Sequence, residues 1–309
     1  MADVVFVHGI AQEQHEAIPL EEDWAQRLAG GVDRAGFREI AERLWHGRHG
    51  PDGLCCRMAF YGAQFLPEGL QGAGSVAPAT EDPFAEDLAR AWLEHAAGRA
   101  SSAAVRREAR RQLDAADADP GDAQGAGLLA GGCIRRLSRI PWFGELGYRA
   151  ATVASRSVGQ VARYFADDAV RRYATRQVLD LIDDRTRVLV AHSLGSIVAY
   201  EAAHQLRAPL PLLVTLGSPL GIEPIRRRLA CRGYPVMVAR WVNVMDHDDF
   251  VAAEPQLDRW FAHGKPPEAT FEPVVTVDNG AKPHRAGFYL TKAAVGRPVA
   301  EALTQHGSR

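Results

Sequence analysis

Short runs of aliphatic and β-branched residues recur along the chain and alternate with longer stretches whose apolar positions follow a helical period. Six runs have the length and composition of buried strands, at residues 4–7, 57–61, 187–191, 212–216, 240–244 and 273–277. Helical patterns begin near Glu21, directly after Ser193 and after His284. Because strands that alternate with helices are typical of a parallel sheet with crossover helices, the pattern predicts an α/β fold with a mostly parallel central sheet.

One interval, between residues 61 and 187, carries no convincing strand and has helical patterns instead. Its apolar positions at three-and-four spacing include Phe84, Leu88, Trp92, Val105, Ala109 and Leu113, and a second set runs from Val158 to Ile182. Residues 114–132 are rich in Gly, Asp and Ala, which is typical of a mobile connection. We therefore expect a single domain over residues 1–309, with an inserted helical cap at about residues 64–150.

A serine lies between the third strand and its following helix, in the segment Ala191-His192-Ser193-Leu194-Gly195. A nucleophilic serine on such a turn is held in a strained backbone conformation with its hydroxyl above the sheet, so the residues two before and two after it must be small. Gly195 meets this requirement fully, and Ala191 meets it with one extra methyl group. The alternative is a serine that merely caps the helix.

This segment resembles the nucleophile motif of the α/β-hydrolase superfamily, usually Gly-x-Ser-x-Gly, which has Ala first in some lipase-like branches. The first strand runs into His8-Gly9-Ile10, which is similar to the family's His-Gly segment. The resemblance implies an α/β-hydrolase fold and an oxyanion hole formed by the backbone N–H groups of Ile10 and Leu194. Such fixed donors stabilise an oxyanion without reorganising during the reaction. His8 and His192 are expected to brace their turns.

A serine nucleophile also needs a base, and the base needs a carboxylate that fixes its tautomer. In this family the chain order is Ser, acid, His. His284 lies in a turn between the last strand and the last helix, where the family carries its base, whereas His204 lies on the helix after Ser193 and His306 lies near the end of the sequence. His284 is therefore the expected general base.

Three carboxylates, those of Asp246, Asp248 and Asp249, follow the fifth strand. In lipase-like members a similar segment reads Asp, two residues, Asp, one residue, Val, and the second Asp is catalytic. That spacing selects Asp249 together with Val251. Asp246 is expected to accept backbone hydrogen bonds that shape the turn, and Asp248 to point to solvent.

Composition and charge exclude several other classes of function. With 36 basic and 38 acidic residues, the chain lacks the field that draws a protein onto nucleic acid, so no nucleic-acid partner is expected. No stretch approaches the roughly 20 apolar residues of a transmembrane helix. The first strand also begins too soon after Met1 for a signal peptide, so a cytoplasmic location is expected.

No cofactor or metal is expected either. The cysteines are Cys55, Cys56, Cys133 and Cys231; they lack metal-ligand spacing and are interpreted as free buried thiols. No phosphate-binding glycine loop or zinc pattern occurs.

The leading hypothesis is a serine hydrolase that cleaves a carboxylic ester, of lipid-like acyl character, through an acyl-enzyme formed by Ser193, Asp249 and His284. Thioester or amide cleavage and acyl transfer use the same groups and stay open, as does a catalytically silent hydrolase fold that serves as an interaction module. The apolar stretch at residues 140–143 fits either peripheral contact with lipid or the core of the cap, and the core is favoured. No protein partner is indicated.

Overall fold

The computed structural model describes residues 2–10, 12, 15–47, 50–65, 82–118, 132–137, 139–140, 150–252 and 254–304. A sheet of six parallel strands lies at its centre. The strands are β1 (Val4–Val7), β2 (Cys56–Ala59), β3 (Val188–His192), β4 (Leu210–Leu216), β5 (Val238–Asp246) and β6 (Thr270–Val277), in the order β2-β1-β3-β4-β5-β6. Each predicted strand is present, although β4, β5 and β6 begin a few residues earlier, and the predicted α/β class is confirmed.

Helices connect these strands. After β1 come α1 (Ala17–Arg34) and α2 (Arg38–Leu44); between β2 and β3 lie a short 3₁₀ turn (Gly62–Phe65), α3 (Pro83–Arg99), α4 (Ala103–Ala118), α5 (Gly132–Leu137), α6 (Ala150–Ala166) and α7 (Asp168–Leu179). Later in the chain, α8 (Leu194–Ala203) follows β3, α9 (Glu223–Arg228) follows β4, α10 (Asp258–Phe261) follows β5, and α11 (Ala286–Leu290) and α12 (Ala293–Thr304) follow β6. None of the helices in the described part of the chain is long and apolar enough to cross a bilayer.

Both faces of the sheet are covered by helices, which explains why the strands are continuous apolar runs. Side chains alternate between the faces along each strand. Val5 and Val7 belong to the cluster that includes buried residues of α3 and α8, whereas Val4 and Phe6 pack with Trp24 of α1 and with α12. The two helix layers therefore each have their own core.

Every regular element that the structure describes between β2 and β3 is a helix. Helix α3 begins at a cap in which the Asp82 carboxylate accepts a hydrogen bond from Phe84 N (2.9 Å), with Pro83 in the first turn. Phe84 and Trp92 are buried in the same cluster as Val5 and Leu189 of the sheet. Helix α3 therefore belongs to the main core of the protein.

One smaller expectation for this region changes. Residues 114–118, expected in a mobile connection, continue α4, because Ala, Asp and Ala there extend a helix already under way; residues 119–131 lie outside the described part. Within the apolar stretch, Ile140 is fully buried and residues 141–143 lie outside the described part.

The cysteines are all free thiols, but only Cys56 and Cys133 are buried. Cys55 lies in the loop before β2 and Cys231 in the turn after α9, and each is half-buried because loops lie nearer the surface than strands.

The order of the strands creates a topological switch point between β1 and β3. The chain leaves β1 towards β2 on one side and leaves β3 towards β4 on the other. Helix α1 covers one face and α8 the opposite face, so the two connections diverge at the carboxyl ends of these strands. Ligands of open α/β sheets bind at such a switch point. Residues 8–10 and Ser193 both lie there.

Candidate active site

Ser193 has a strained backbone, with φ 55° and ψ −130°, and is the only non-glycine residue with a positive φ in the part of the chain that the structure describes. Its N–H donates to Leu216 O (3.0 Å). The turn needs a glycine two residues later, because a Cβ on Gly195 would overlap the carbonyl oxygens of Val7 and His8. The sequence requirement for a small residue thus has its cause in the packing of α8 against the end of β1.

The hydroxyl of Ser193 faces His284 and makes no capping bond to α8. His284 Nε2 lies 2.9 Å from Ser193 Oγ, and His284 Nδ1 lies 2.8 Å from Asp249 Oδ2. In the neutral ring that this pairing selects, Nδ1–H donates to the carboxylate and Nε2 accepts the serine proton. The structure therefore brings Ser193, His284 and Asp249 together in the order expected from the sequence.

The carboxylate of Asp249 is fully buried and has a donor for each of its lone-pair directions. Val251 N (3.1 Å) and Ala252 N (3.4 Å) donate to Oδ1, while the Tyr289 hydroxyl (2.7 Å) and His284 donate to Oδ2. Burial raises the pKa of Asp249, but the nearby His284 and the hydrogen bonds from His284 and Tyr289 outweigh it and hold the pKa below its usual range. The group is therefore an anion.

Asp246 shapes the loops around the site, as expected. Its carboxylate accepts hydrogen bonds from Asp248 N (2.8 Å) and from Asn279 N. The Asn279 side chain in turn donates to Pro283 O (2.9 Å), directly before His284. Asp246 therefore ties the loop that carries the acid to the loop that carries the base.

Asp248 differs from the expectation of a residue that simply points to solvent. Its side chain is 40% exposed, yet Oδ1 accepts a hydrogen bond from Ser101 N (2.7 Å) in the connection between α3 and α4. A second link joins Arg99 to Glu254 (3.1 Å). The helical region between β2 and β3 therefore contacts the loop that carries Asp249.

Two residues of the site were missed by sequence reasoning. Gly217, with φ 53°, allows the acid and base to meet, because a Cβ there would lie 2.6 Å from Asp249 Oδ2 and 3.2 Å from His284 Nδ1. Tyr289 lies on α11 among apolar residues, where its sequence pattern indicates core packing and nothing more. The glycine after a buried strand was a usable signal; Tyr289 offered none.

The expected oxyanion donors lie on the two segments that meet at the nucleophile. The backbone at Gly9 passes so close that a Cβ there would lie 2.7 Å from Ser193 Cβ, and Ile10 follows directly. Leu194 is the first residue of α8, where an N–H has no acceptor within the helix. Both donors therefore belong to backbone that packs around Ser193.

Replacing Gly9 by Ala tests this packing. The methyl group would displace either Ser193 or the backbone that carries Ile10 N, so we expect a loss of about 10²- to 10³-fold in kcat, the usual cost of one oxyanion donor. The matched control is Gly30→Ala on α1, where a Cβ meets nothing within 4 Å. Equal kcat values for the two variants, measured on any ester that the parent hydrolyses, would contradict the arrangement.

No family model, curated protein or solved structure matches this chain. Within the described ranges, no three His, Cys, Asp or Glu side chains cluster as metal ligands would. The geometry of the site therefore carries the functional conclusion.

His8 and His192 brace the two turns. His8 Nδ1 donates to Gly9 O (2.7 Å) while its Nε2 accepts from Tyr61 N (3.1 Å), and His192 Nε2 donates to His284 O (2.8 Å). Burial is the main cause that lowers the pKa of His8 to about 4 and that of His192 to about 3. Both rings are neutral braces in the folded protein at neutral pH.

These two rings make stability depend on pH. Because each folded pKa lies below the unfolded value of 6.5, the unfolded chain binds more protons, so the stabilisation is complete above about pH 6.5 and is lost as pH falls towards the folded values. Between pH 7 and pH 5 we expect each ring to lower the free energy of unfolding by about 2 kcal/mol. Urea unfolding of the parent and of His192→Gln measures this.

Between pH 7 and pH 5, the free energy of unfolding of His192→Gln should fall by about 2 kcal/mol less than that of the parent. Gly30→Ala on α1, which removes no titratable group and whose Cβ meets nothing within 4 Å, is the control and should behave as the parent does. An identical pH dependence in parent and His192→Gln would show that His192 is not neutral in the folded state.

Proposed function

We propose that this protein is a serine hydrolase of the α/β-hydrolase fold that cleaves a carboxylic ester through an acyl-enzyme. One observation carries the proposal: a buried carboxylate, an imidazole and a serine hydroxyl are joined by hydrogen bonds of 2.8 and 2.9 Å, and the serine has the strained φ of 55°. A serine that only caps a helix requires neither feature.

The topology supports the same proposal. The parallel sheet places Ser193 after β3, Asp249 after β5 and His284 after β6, at the carboxyl edge of the sheet. This is the chain order of Ser, acid and His that the family uses. Ser193 and the expected oxyanion donors lie together at the switch point between β1 and β3, where ligands of open α/β sheets bind.

In the proposed mechanism, His284 Nε2 takes the proton of Ser193 Oγ as the oxygen attacks the ester carbonyl. The charge that develops on the carbonyl oxygen is stabilised by the N–H groups of Ile10 and Leu194. His284 then returns the proton to the departing alcohol, which leaves the acyl group on Ser193. Water, activated by the same imidazole, releases the acid, while Asp249 stabilises the imidazolium in both halves of the reaction.

A lipid-like acyl ester is the proposed substrate. Its support is the helical insertion between β2 and β3, which contacts the acid loop through Ser101 and Arg99, and the resemblance of the motifs to lipase-like members. The same groups support thioester cleavage, amide cleavage or acyl transfer to an alcohol. The catalytically silent module is the rival from another class.

A fluorophosphonate probe tests the proposal directly. The protein should gain one covalent adduct, and mass spectrometry of the digested protein should place it on Ser193. Ser193→Ala serves as the control and should remain unlabelled. Absence of labelling in correctly folded parent protein would favour the silent module.

A panel of nitrophenyl esters of graded acyl length then tests the substrate class. A kcat/KM that rises from acetate towards medium and long acyl chains supports the lipid-like substrate. A maximum at acetate would overturn that part of the proposal and leave the hydrolase assignment in place.

A further inference from the structure

We propose that Tyr289 is a positioning residue of the triad, whose hydroxyl holds the Asp249 carboxylate in the orientation that the base requires. The proposal rests on the proposed function, since it assigns to Tyr289 a part in the same proton transfer. Its basis is the geometry of one buried hydroxyl between two segments of the active site.

The direction of the hydrogen bonds is fixed by chemistry. The Tyr289 hydroxyl lies 2.8 Å from Asp246 N, which can only donate, and 2.7 Å from Asp249 Oδ2, which in an ionised group can only accept. The hydroxyl therefore accepts from the backbone N–H and must give its own proton to the carboxylate. Because Tyr289 is fully buried, water does not compete for that proton.

The Tyr289 hydroxyl donates to the same carboxylate oxygen that pairs with His284. Asp249 Oδ2 accepts from both the Tyr289 hydroxyl and His284 Nδ1, while Oδ1 accepts from two backbone N–H groups. Donors on both oxygens prevent the carboxylate from rotating about its Cβ–Cγ bond. The hydroxyl also shares the negative charge of Oδ2, and so limits how strongly the carboxylate draws the Nδ1 proton.

Tyr289 also links the two halves of the site along the chain. It lies five residues after His284, on α11, and its hydroxyl reaches back to the end of β5 and to the acid loop. The segment that carries the base therefore also holds the acid. Tyr200 provides a contrast, because its buried hydroxyl donates to Gly233 O (2.7 Å), a bond to backbone that none of the triad residues shares.

Several other charged or titratable groups face this cluster and remain unchanged in the test. His192 at the end of β3 lies with its ring 4.6 Å from that of His284 and 6.1 Å from that of Tyr289. Asp246 lies at the end of β5, and on α1 the ion pair of Arg27 and Asp23 packs next to Gly287 of α11. Only the hydroxyl group differs between parent and variant.

The first experiment compares Tyr289→Phe with the matched control Tyr200→Phe. Each loses one buried hydroxyl, so both should lose stability of similar size in urea unfolding. We expect kcat of Tyr289→Phe to fall about tenfold with KM nearly unchanged, and the acid limb of its kcat/KM profile to move up by about half a pH unit to one unit. Tyr200→Phe should keep the profile of the parent.

The shift has a defined sign. Without the hydroxyl, more negative charge remains on Asp249, which favours the protonated imidazole and inactivates the base up to a higher pH. Activity at pH 6 should therefore fall more than activity at pH 8. If the profile and kcat of Tyr289→Phe match those of Tyr200→Phe, Tyr289 only supports the fold and the proposal is overturned.

A second substitution keeps the test open if Tyr289→Phe does not fold. Site-specific 3-fluorotyrosine at position 289 is nearly isosteric and is a stronger hydrogen-bond donor. It should move the acid limb in the opposite direction, to lower pH, with a small change in kcat. A limb that stays in place would contradict the proposal, since a purely structural tyrosine would show no dependence on donor strength.

A measurement without substrate separates this proposal from the proposed function. The low-field proton resonance of His284 Nδ1–H should shift in Tyr289→Phe and stay in place in Tyr200→Phe. If the parent hydrolyses no ester and takes up no fluorophosphonate, the proposed function fails, and this resonance still reports whether Tyr289 positions the carboxylate. An unchanged resonance in active protein overturns the role of Tyr289 alone.

Discussion

Ser193→Ala should lower ester turnover on the order of a millionfold while leaving the fold intact. The substitution removes only the hydroxyl group. The backbone at position 193 therefore keeps its strained conformation and its N–H bond to Leu216 O. It loses the oxygen that lies 2.9 Å from His284 Nε2. What remains is the rate that binding and the backbone donors supply without a nucleophile. Steady-state hydrolysis with single-turnover confirmation measures the loss.

Ser218→Ala is the matched control for this variant. Ser218 is also a buried serine just beyond the end of a central strand, but its Oγ pairs with Ser196 Oγ (2.7 Å). We expect it to lose less than about tenfold in kcat, with some loss of stability from the broken hydrogen bond. Turnover of Ser193→Ala within about tenfold of the parent, in protein free of parent enzyme, would sink the assignment of the nucleophile.

Asp249→Asn should reduce kcat by about ten-thousandfold. Both oxygens of this carboxylate face donors only, so an amide NH₂ in either position meets an N–H or O–H group. Where the NH₂ faces His284, it donates to Nδ1 and places the ring proton on Nε2, which then cannot accept from Ser193. The shape of the site is kept and the tautomer is lost.

Asn variants at the two neighbouring carboxylates complete the comparison. Asp246→Asn loses one of its bonds to the backbone N–H groups of Asp248 and Asn279, so we expect a cost of about 1–3 kcal/mol in stability and at most about a hundredfold in kcat. Asp248→Asn keeps an acceptor for Ser101 N and should lose less than about threefold. A ranking in which Asp246→Asn is the most damaged and Asp249→Asn nearly unaffected would place the acid at the strand end.

The strands and the triad could be predicted from the sequence because each leaves a local signal. A strand buried on both faces is a continuous apolar run, as at residues 188–192, and the strained turn at Ser193 demands the small Gly195 nearby. Asp249 and His284 followed from spacing and chain order in a family whose motifs this chain resembles. Their catalytic roles stay predictions until turnover is measured.

What could not be predicted depends on contacts between residues distant in sequence. Tyr289 touches Asp249 across 40 positions, and in the sequence it is one more aromatic residue in an apolar helix. Ser101 N donates to Asp248 across 147 positions, although Asp248 was expected to point to solvent. Pairings of this kind leave no periodicity, because they depend on how the helices pack once the sheet is formed.

The pairing of β1 determines when the candidate site can form during synthesis. One edge of β1 pairs with β2, but at the other edge Val4 pairs with Val188, which is synthesised more than half a chain later. Helix α12 also packs so closely on α1 that a Cβ on Gly296 would overlap Gly31 O. Contacts of such long range form slowly. A nascent chain on the ribosome therefore carries Ser193 before Asp249 and His284 have been synthesised, so the three side chains meet only after β5 and β6 have joined the sheet.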